Sequence, residues 1–118
     1  MIYVDKYSME KRTYGYWEVL KNYPNVKVKE LSVDPGQRLS MQRHKHRNEF
    51  WFVAEGTATI NTINASTDVT SIEIPQFHHT WIQINEWHQL ENKGDTVLKI
   101  VEIQWGDHCD EEDIERII

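Results

Sequence analysis

Apolar residues recur along the chain in short runs, at 26–33, 50–54, 57–63, 69–74, 81–84 and 97–103, each rich in Val, Ile, Thr, Phe or Trp. Runs this short and this β-branched predict strands rather than helices. Turn chemistry falls between them: Asp34-Pro35-Gly36, Glu55-Gly56, Asn85-Glu86 and Asn92-Lys93-Gly94-Asp95, with a polar stretch at 61–68. Many short strands separated by Gly, Pro, Asn and Asp predict an all-β sandwich or barrel. Within 26–33, Val26 and Val28 occupy one parity and Leu31 and Val33 the other, and a bulge near Lys29-Glu30 would account for the switch. The tail breaks the pattern. Asp110, Glu111, Glu112 and Asp113 precede Arg116, the order a helix dipole favours, and Ile114, Ile117 and Ile118 share one helical face, so 110–118 predicts a short C-terminal helix.

At 118 residues the chain fits one domain over 1–118, with no repeat or flexible linker to divide it. Acidic side chains outnumber basic ones by 19 to 13, a net charge of −6, and no sustained basic run is present, so no nucleic-acid partner is expected. Cys109 is the sole cysteine, which excludes an internal disulfide framework and suits a reducing, cytoplasmic setting. The first residues lack a signal peptide's apolar core, and no stretch reaches the ~20 apolar residues of a membrane span, so neither export nor a membrane is expected. Five Trp, five Tyr and three Phe are a heavy aromatic load. Trp51, Trp81, Trp87 and Trp105 are expected to pack in the core, and burial of Tyr- and Trp-rich edges predicts a homodimer.

The chemistry concentrates in Gln42-Arg43-His44-Lys45-His46-Arg47-Asn48-Glu49. Gln42, His44 and His46 share one face of an extended strand, so side chains two apart can converge on one ion. After a turn, Glu49 returns on an antiparallel neighbour, and His88, late in the β region, is the most economical fourth ligand. Nitrogen and oxygen donors suit zinc, iron, manganese, cobalt or nickel, with zinc foremost. His46 has three open roles: replacing Gln42, orienting a ligand, or acting as a base. Arg47 either binds an anion or pairs with Glu49 or Asp68 at the rim. His78-His79 cannot easily chelate one ion, because neighbours on a strand point to opposite faces, and reads as surface.

Gly36, Gln42, His44, Glu49 and Gly56 are similar in spacing to the first cupin motif, with Gln42 in the place usually held by a His, and His88 with Asn92 matches the end of the second. The stretch 42–51, with 12–20 and 101–114, resembles the C-terminal cupin domain of type II phosphomannose isomerases. The resemblance implies a single cupin barrel, a double-stranded β-helix or jelly roll, holding one divalent metal ion on Gln42, His44, Glu49 and His88. It implies an aldose–ketose isomerase acting on a small-molecule sugar phosphate, mannose 6-phosphate to fructose 6-phosphate, with His46 and Arg47 catalytic and Lys29 and Arg12 gripping the phosphate. The rivals are a non-catalytic sugar-binding or regulatory cupin and a cupin enzyme of other chemistry, such as a dioxygenase or epimerase. Three departures stand out. Glu30 replaces a basic residue beside Lys29, which would reverse a charge if it faced substrate. Gln83 and Asn85 replace the second motif's Pro and Gly, and 61–79 is longer and more polar than the family's loop. The nucleotidyltransferase stretch of bifunctional relatives is lacking, so sugar-nucleotide synthesis is not expected.

Overall fold

Residues 9–117 are described by the structure, a computed structural model, and form eleven strands. These are β1 Met9–Arg12, β2 Gly15–Tyr23, β3 Val26–Val33, β4 Met41–Arg43, β5 Arg47–Glu55 and β6 Ala58–Ile63, followed by β7 Val69–Ile74, β8 His79–Ile82, β9 His88–Glu91, β10 Leu98–Gly106 and β11 Glu115–Ile117. A six-stranded sheet runs β1-β2-β3-β10-β5-β8 and a five-stranded sheet runs β11-β4-β9-β6-β7, with antiparallel ladders in both. Their facing sides share one core: Leu31, Val33, Val53, Leu98 and Ile100 from the first meet Ala58, Ile60 and Leu90 from the second. This is the all-β cupin barrel that the motifs implied. Among the described residues no helix is long and apolar enough to cross a membrane.

Strict alternation sets what faces inward. In β5 the buried parity carries Arg47, Glu49, Trp51 and Val53, and in β10 it carries Leu98, Ile100, Glu102 and Gln104. β3 contributes Lys29, Leu31 and Val33, and β9 contributes His88 and Leu90. Register aligns these rows: Ile100 lies opposite both Val53 and Leu31, and Glu102 opposite both Trp51 and Lys29. The interior is therefore apolar at one end and charged at the other.

The parity switch in β3 has a different origin from the expected bulge. β3 keeps its alternation and turns Lys29 inward, while the extra residue is Leu20 of β2, where the register skips between Val19 and Lys21. The expected C-terminal helix is also corrected. Residues 115–117 form β11 beside β4, with Glu115 opposite Arg43 and Arg116 opposite Gln42. A helix of so few residues is marginal alone, and the acids find tertiary partners instead: Glu115 pairs with Arg43 at 2.9 Å and Lys45 at 3.0 Å, and Asp113 accepts the Lys45 and His46 backbone N–H groups. Ile118 of the predicted helical face lies outside the described residues.

Asn85 adopts φ 66°, so the family's glycine is replaced here by the residue that best tolerates that region, and its N–H donates to His44 O at 2.8 Å. Asn92 is buried and ties its turn together, donating to Val33 O and Thr96 O. Trp51 is buried as expected, but Trp81 is 56% exposed, edge-on to Phe50 and Trp105 on the outer face of the six-stranded sheet.

Candidate metal centre

The charged end of the barrel opens into a cavity of about 480 Å³. Gln42, Glu49 and His88 line it. His44 abuts it through Glu49, with Nε2 3.3 Å from Oε2, and His88 Nε2 lies 3.7 Å from Glu49 Oε1. One ligand atom from each of His44, Glu49 and His88 lies within 4.8 Å of the others, and all three side chains are buried.

The backbone fixes how the two rings present themselves. His44 Nδ1 lies 2.7 Å from Asp113 O and His88 Nδ1 lies 2.8 Å from Glu86 O. A carbonyl only accepts, so each Nδ1 carries the proton and each Nε2 turns a lone pair toward Glu49. Burial pushes both imidazoles toward the neutral form: His44 falls to about 4 through burial and the nearby Arg47 guanidinium, and His88 is lowered by burial. Two neutral imidazole nitrogens and a carboxylate, buried and pre-oriented, are a donor set that fits a divalent transition ion. Gln42 stands opposite His88 in the β4–β9 ladder, and its amide nitrogen reaches toward Ser40 at 3.4 Å, leaving the carbonyl oxygen available as a donor.

Arg47 sits inside, not at the rim. It is 5% exposed, donates to Glu49 Oε2 at 2.9 Å and to Asp110 O at 3.0 Å, and lies 3.4 Å from His44 Nε2. Burial alone would weaken its hold on the proton, but Glu49 and Glu102 more than offset this and raise its pKa. The strand start that carries it depends on Gly106, opposite Arg47 in the ladder, because an added Cβ would lie 2.0 Å from His46 O.

His46 is not brought into the cavity. Its ring is 43% exposed, stacks on His108 and lies 3.8 Å from Asp107. Lys29 does face the cavity, 4% exposed, within 3.0 Å of Glu111 and 4.2 Å above the Trp17 ring. Arg12 lines the mouth, paired with Glu10 at 2.8 Å. Glu30 points the other way. It accepts from Tyr16 and lies 3.2 Å from Lys99 on the outer face, so the charge reversal it represents does not touch the cavity.

Sequence reasoning passed over Glu102. It lines the cavity at 3% exposure and accepts Trp51 Nε1–H at 2.9 Å and Gln104 Nε2–H at 2.7 Å. Burial, then Glu49, pushes its carboxyl up to about 7. The signal was present in the parity of 97–103, where Glu102 occupies the same face as Leu98 and Ile100. Tyr14 also lines the cavity, its phenol raised to about 12 by burial.

The family described as mannose-6-phosphate isomerase C-terminal matches residues 3–118. The alginate biosynthesis protein AlgA of Pseudomonas aeruginosa is 36% identical over 106 residues, which is 90% of this chain and 21% of AlgA. The mannose-1-phosphate guanylyltransferase RfbM of Salmonella typhimurium is 37% identical over 106 residues, again 90% of this chain and 21% of the relative. The chain thus spans about a fifth of the length of these relatives. Among solved structures, the capsular polysaccharide assembling protein CapF of Staphylococcus aureus superposes with a TM-score of 0.76 at 22% identity, covering 92% of this chain and 33% of CapF, a likeness of fold.

Proposed function

The chain belongs to the mannose-6-phosphate isomerase C-terminal family, and from that premise we propose that it is a metal-dependent aldose–ketose isomerase interconverting mannose 6-phosphate and fructose 6-phosphate. The observation that carries this reading is the His44–Glu49–His88 cluster, its two Nε2 lone pairs pre-aimed by Asp113 O and Glu86 O at the charged end of the cavity. These three residues, with Gln42, would hold one divalent ion, zinc foremost. When bound, such an ion supplies a Lewis acid for the sugar's carbonyl and hydroxyl oxygens.

The remaining work belongs to the chain. Isomerisation requires a proton to leave the carbon beside the carbonyl and return at its neighbour, so a carboxylate or imidazole must face the substrate. His46, expected in that role, lies outside the cavity. Glu111 is held by Lys29 and Glu49 by Arg47, whereas among the described residues Glu102 makes no ion pair and accepts from the Trp51 and Gln104 donors. We assign the proton transfer to Glu102. Arg47, tied to Glu49 and Asp110 O, holds the Glu49 carboxyl group in place as a ligand rather than reaching for phosphate. Tyr14, Trp17 and Leu31 line the cavity and displace water from the reacting carbons. The homodimer remains part of this reading, supported by exposed Phe77 and Trp81 and tested by light scattering at micromolar concentration.

Elemental analysis of the purified protein beside His44→Ala and His88→Ala, with ketose-phosphate formation followed in each, tests the proposal. Near-stoichiometric metal and turnover in wild type, both lost in the variants, are expected. Metal-loaded wild type that binds mannose 6-phosphate but never forms the ketose would replace the isomerase with a sugar-binding cupin.

A further inference from the structure

Five basic side chains line the cavity, Arg12, Lys29, Arg38, Arg47 and Arg116, against the three carboxylates Glu49, Glu102 and Glu111. Three of the five are engaged. Both oxygens of Glu111 hold Lys29, at 3.0 and 3.1 Å, Glu49 holds Arg47 at 2.9 Å, and Glu10 holds Arg12 at 2.8 Å. Drawing any of these onto a ligand would strand a carboxylate. Arg38 and Arg116 make no ion pair among the described residues.

Their placement suits one end of a long polar substrate. Arg116 of β11 stands directly opposite Gln42 of β4, and Gln42 directly opposite His88 of β9. Directly opposed residues project from the same face, so Arg116, Gln42 and His88 form one row across the sheet. Arg116 lies two interstrand spacings, about 10 Å, from His88. Arg38 enters the same rim from the segment before β4. It lines the cavity with Leu39 and Ser40, and it shares a shallow neighbouring depression with Ile117, the residue after Arg116.

We propose that Arg38 and Arg116 form the phosphate subsite of this cavity, gripping a sugar phosphate by its ester end while the carbons to be isomerised sit at the His44–Glu49–His88 cluster. The proposal rests on the isomerase reading only in sharing its cavity. Two guanidinium forks offer paired N–H donors to phosphate oxygens, and the separation along the row matches a hexose reaching from its first carbons to its sixth. Lys29, by contrast, stays with Glu111 and shapes the wall.

Calorimetric titration of the metal-loaded chain with mannose 6-phosphate, inorganic phosphate and mannose, for wild type, Arg38→Ala, Arg116→Ala, Arg116→Gln, the double alanine variant and the exposed-loop control Lys93→Ala, tests this. Each single variant is expected to weaken mannose 6-phosphate binding about tenfold or more, the effect of losing hydrogen bonds to a charged group, and the double variant further. Mannose affinity should be unchanged, and Lys93→Ala should stay within about twofold of wild type, which separates a local grip from lost long-range charge. Circular dichroism confirms folding, and Arg116→Gln preserves the β11 stem where alanine loosens it. A double variant that binds mannose 6-phosphate like wild type, one that loses mannose equally, or a wild type that does not prefer the phosphate ester would each overturn the subsite. Turnover separates the two readings. Arginine-dependent binding without ketose formation defeats the isomerase and keeps the subsite, and an unchanged KM in the double variant defeats the subsite and keeps the isomerase.

Discussion

Glu102→Gln removes an ionisable group while nearly preserving its volume. Glu102 is 3% exposed, and its carboxyl is pushed up from 4.5 to about 7, by burial first and by Glu49 second. Between pH 4.5 and about 7 the native protein keeps a proton that the unfolded chain has released, so stability falls as pH rises through that window. At about 1.4 kcal/mol per pH unit, the loss approaches about 3 kcal/mol above pH 7. Glutamine cannot ionise and escapes it. Against this gain stands one acceptor: Trp51 Nε1 and Gln104 Nε2 both donate to the carboxyl group, and glutamine has a single acceptor oxygen. A stranded buried donor costs about 1–3 kcal/mol. Here the lower end applies, because Trp51 has a second acceptor in Glu49 Oε1 at 3.1 Å, and Gln104 Oε1, a buried oxygen without a partner among the described residues, can turn toward the new amide by a flip. With metal removed from both proteins by a chelator, the variant should be about 2 kcal/mol more stable than wild type at pH 8, melting several degrees higher, and slightly less stable at pH 4.5. Thermal melts followed by circular dichroism from pH 4 to 8 read this directly. A variant whose stability tracks wild type across the window would refute the placement of the buried ionisation at Glu102. The same substitution should lower ketose-phosphate formation by about 100-fold or more, so that stability and turnover move in opposite directions.

His44→Ala and His88→Ala should each abolish near-stoichiometric metal binding, whereas Gln42→Ala, which removes a neutral and weaker donor, should retain the ion with about 10- to 100-fold lower affinity in a chelator competition. Gly106→Ala should cost at least about 3 kcal/mol, measured by urea unfolding, because its Cβ would lie 2.0 Å from His46 O and 2.9 Å from Arg47 Cα, both backbone atoms that cannot rotate away. Glu111→Gln should cost about 1–2 kcal/mol at pH 7, since Lys29 is 4% exposed and loses its partner, a value discounted because the Glu111 side chain is 39% exposed. Burial would raise the Glu111 pKa, but Lys29 more than offsets this and holds it low, so its contribution is present above about pH 4.5 and lost as pH falls through the lowered native value. The variant should therefore show a shallower decline in stability on the acid side, and an unchanged acid limb would show that the pair is not formed in solution.

Strand runs, turns and the candidate ligands Gln42, His44 and Glu49 were legible in the sequence because each rests on local rules. Period-two alternation, the φ preferences of Gly, Asn and Pro, and the two-residue spacing of Gln42 and His44 act within a few residues of one another. Asn85 fits the same logic, since its φ of 66° follows from its own chemistry. The tail shows where local rules end. Its acids suit a helix, yet Glu111, Asp113 and Glu115 each find a cation or N–H partner tens of residues away in the chain, and a short isolated helix offers too little to compete. Tertiary structure alone also decided that Lys29 faces in and Glu30 out, that Glu102 rather than His46 meets the cavity, and that the Asp113 and Glu86 carbonyls aim the two imidazoles. The physical reason is common to all of these: burial, register across strands and the partner of each polar atom are set by residues tens of positions away, and they determine which of several chemically competent side chains meets the site.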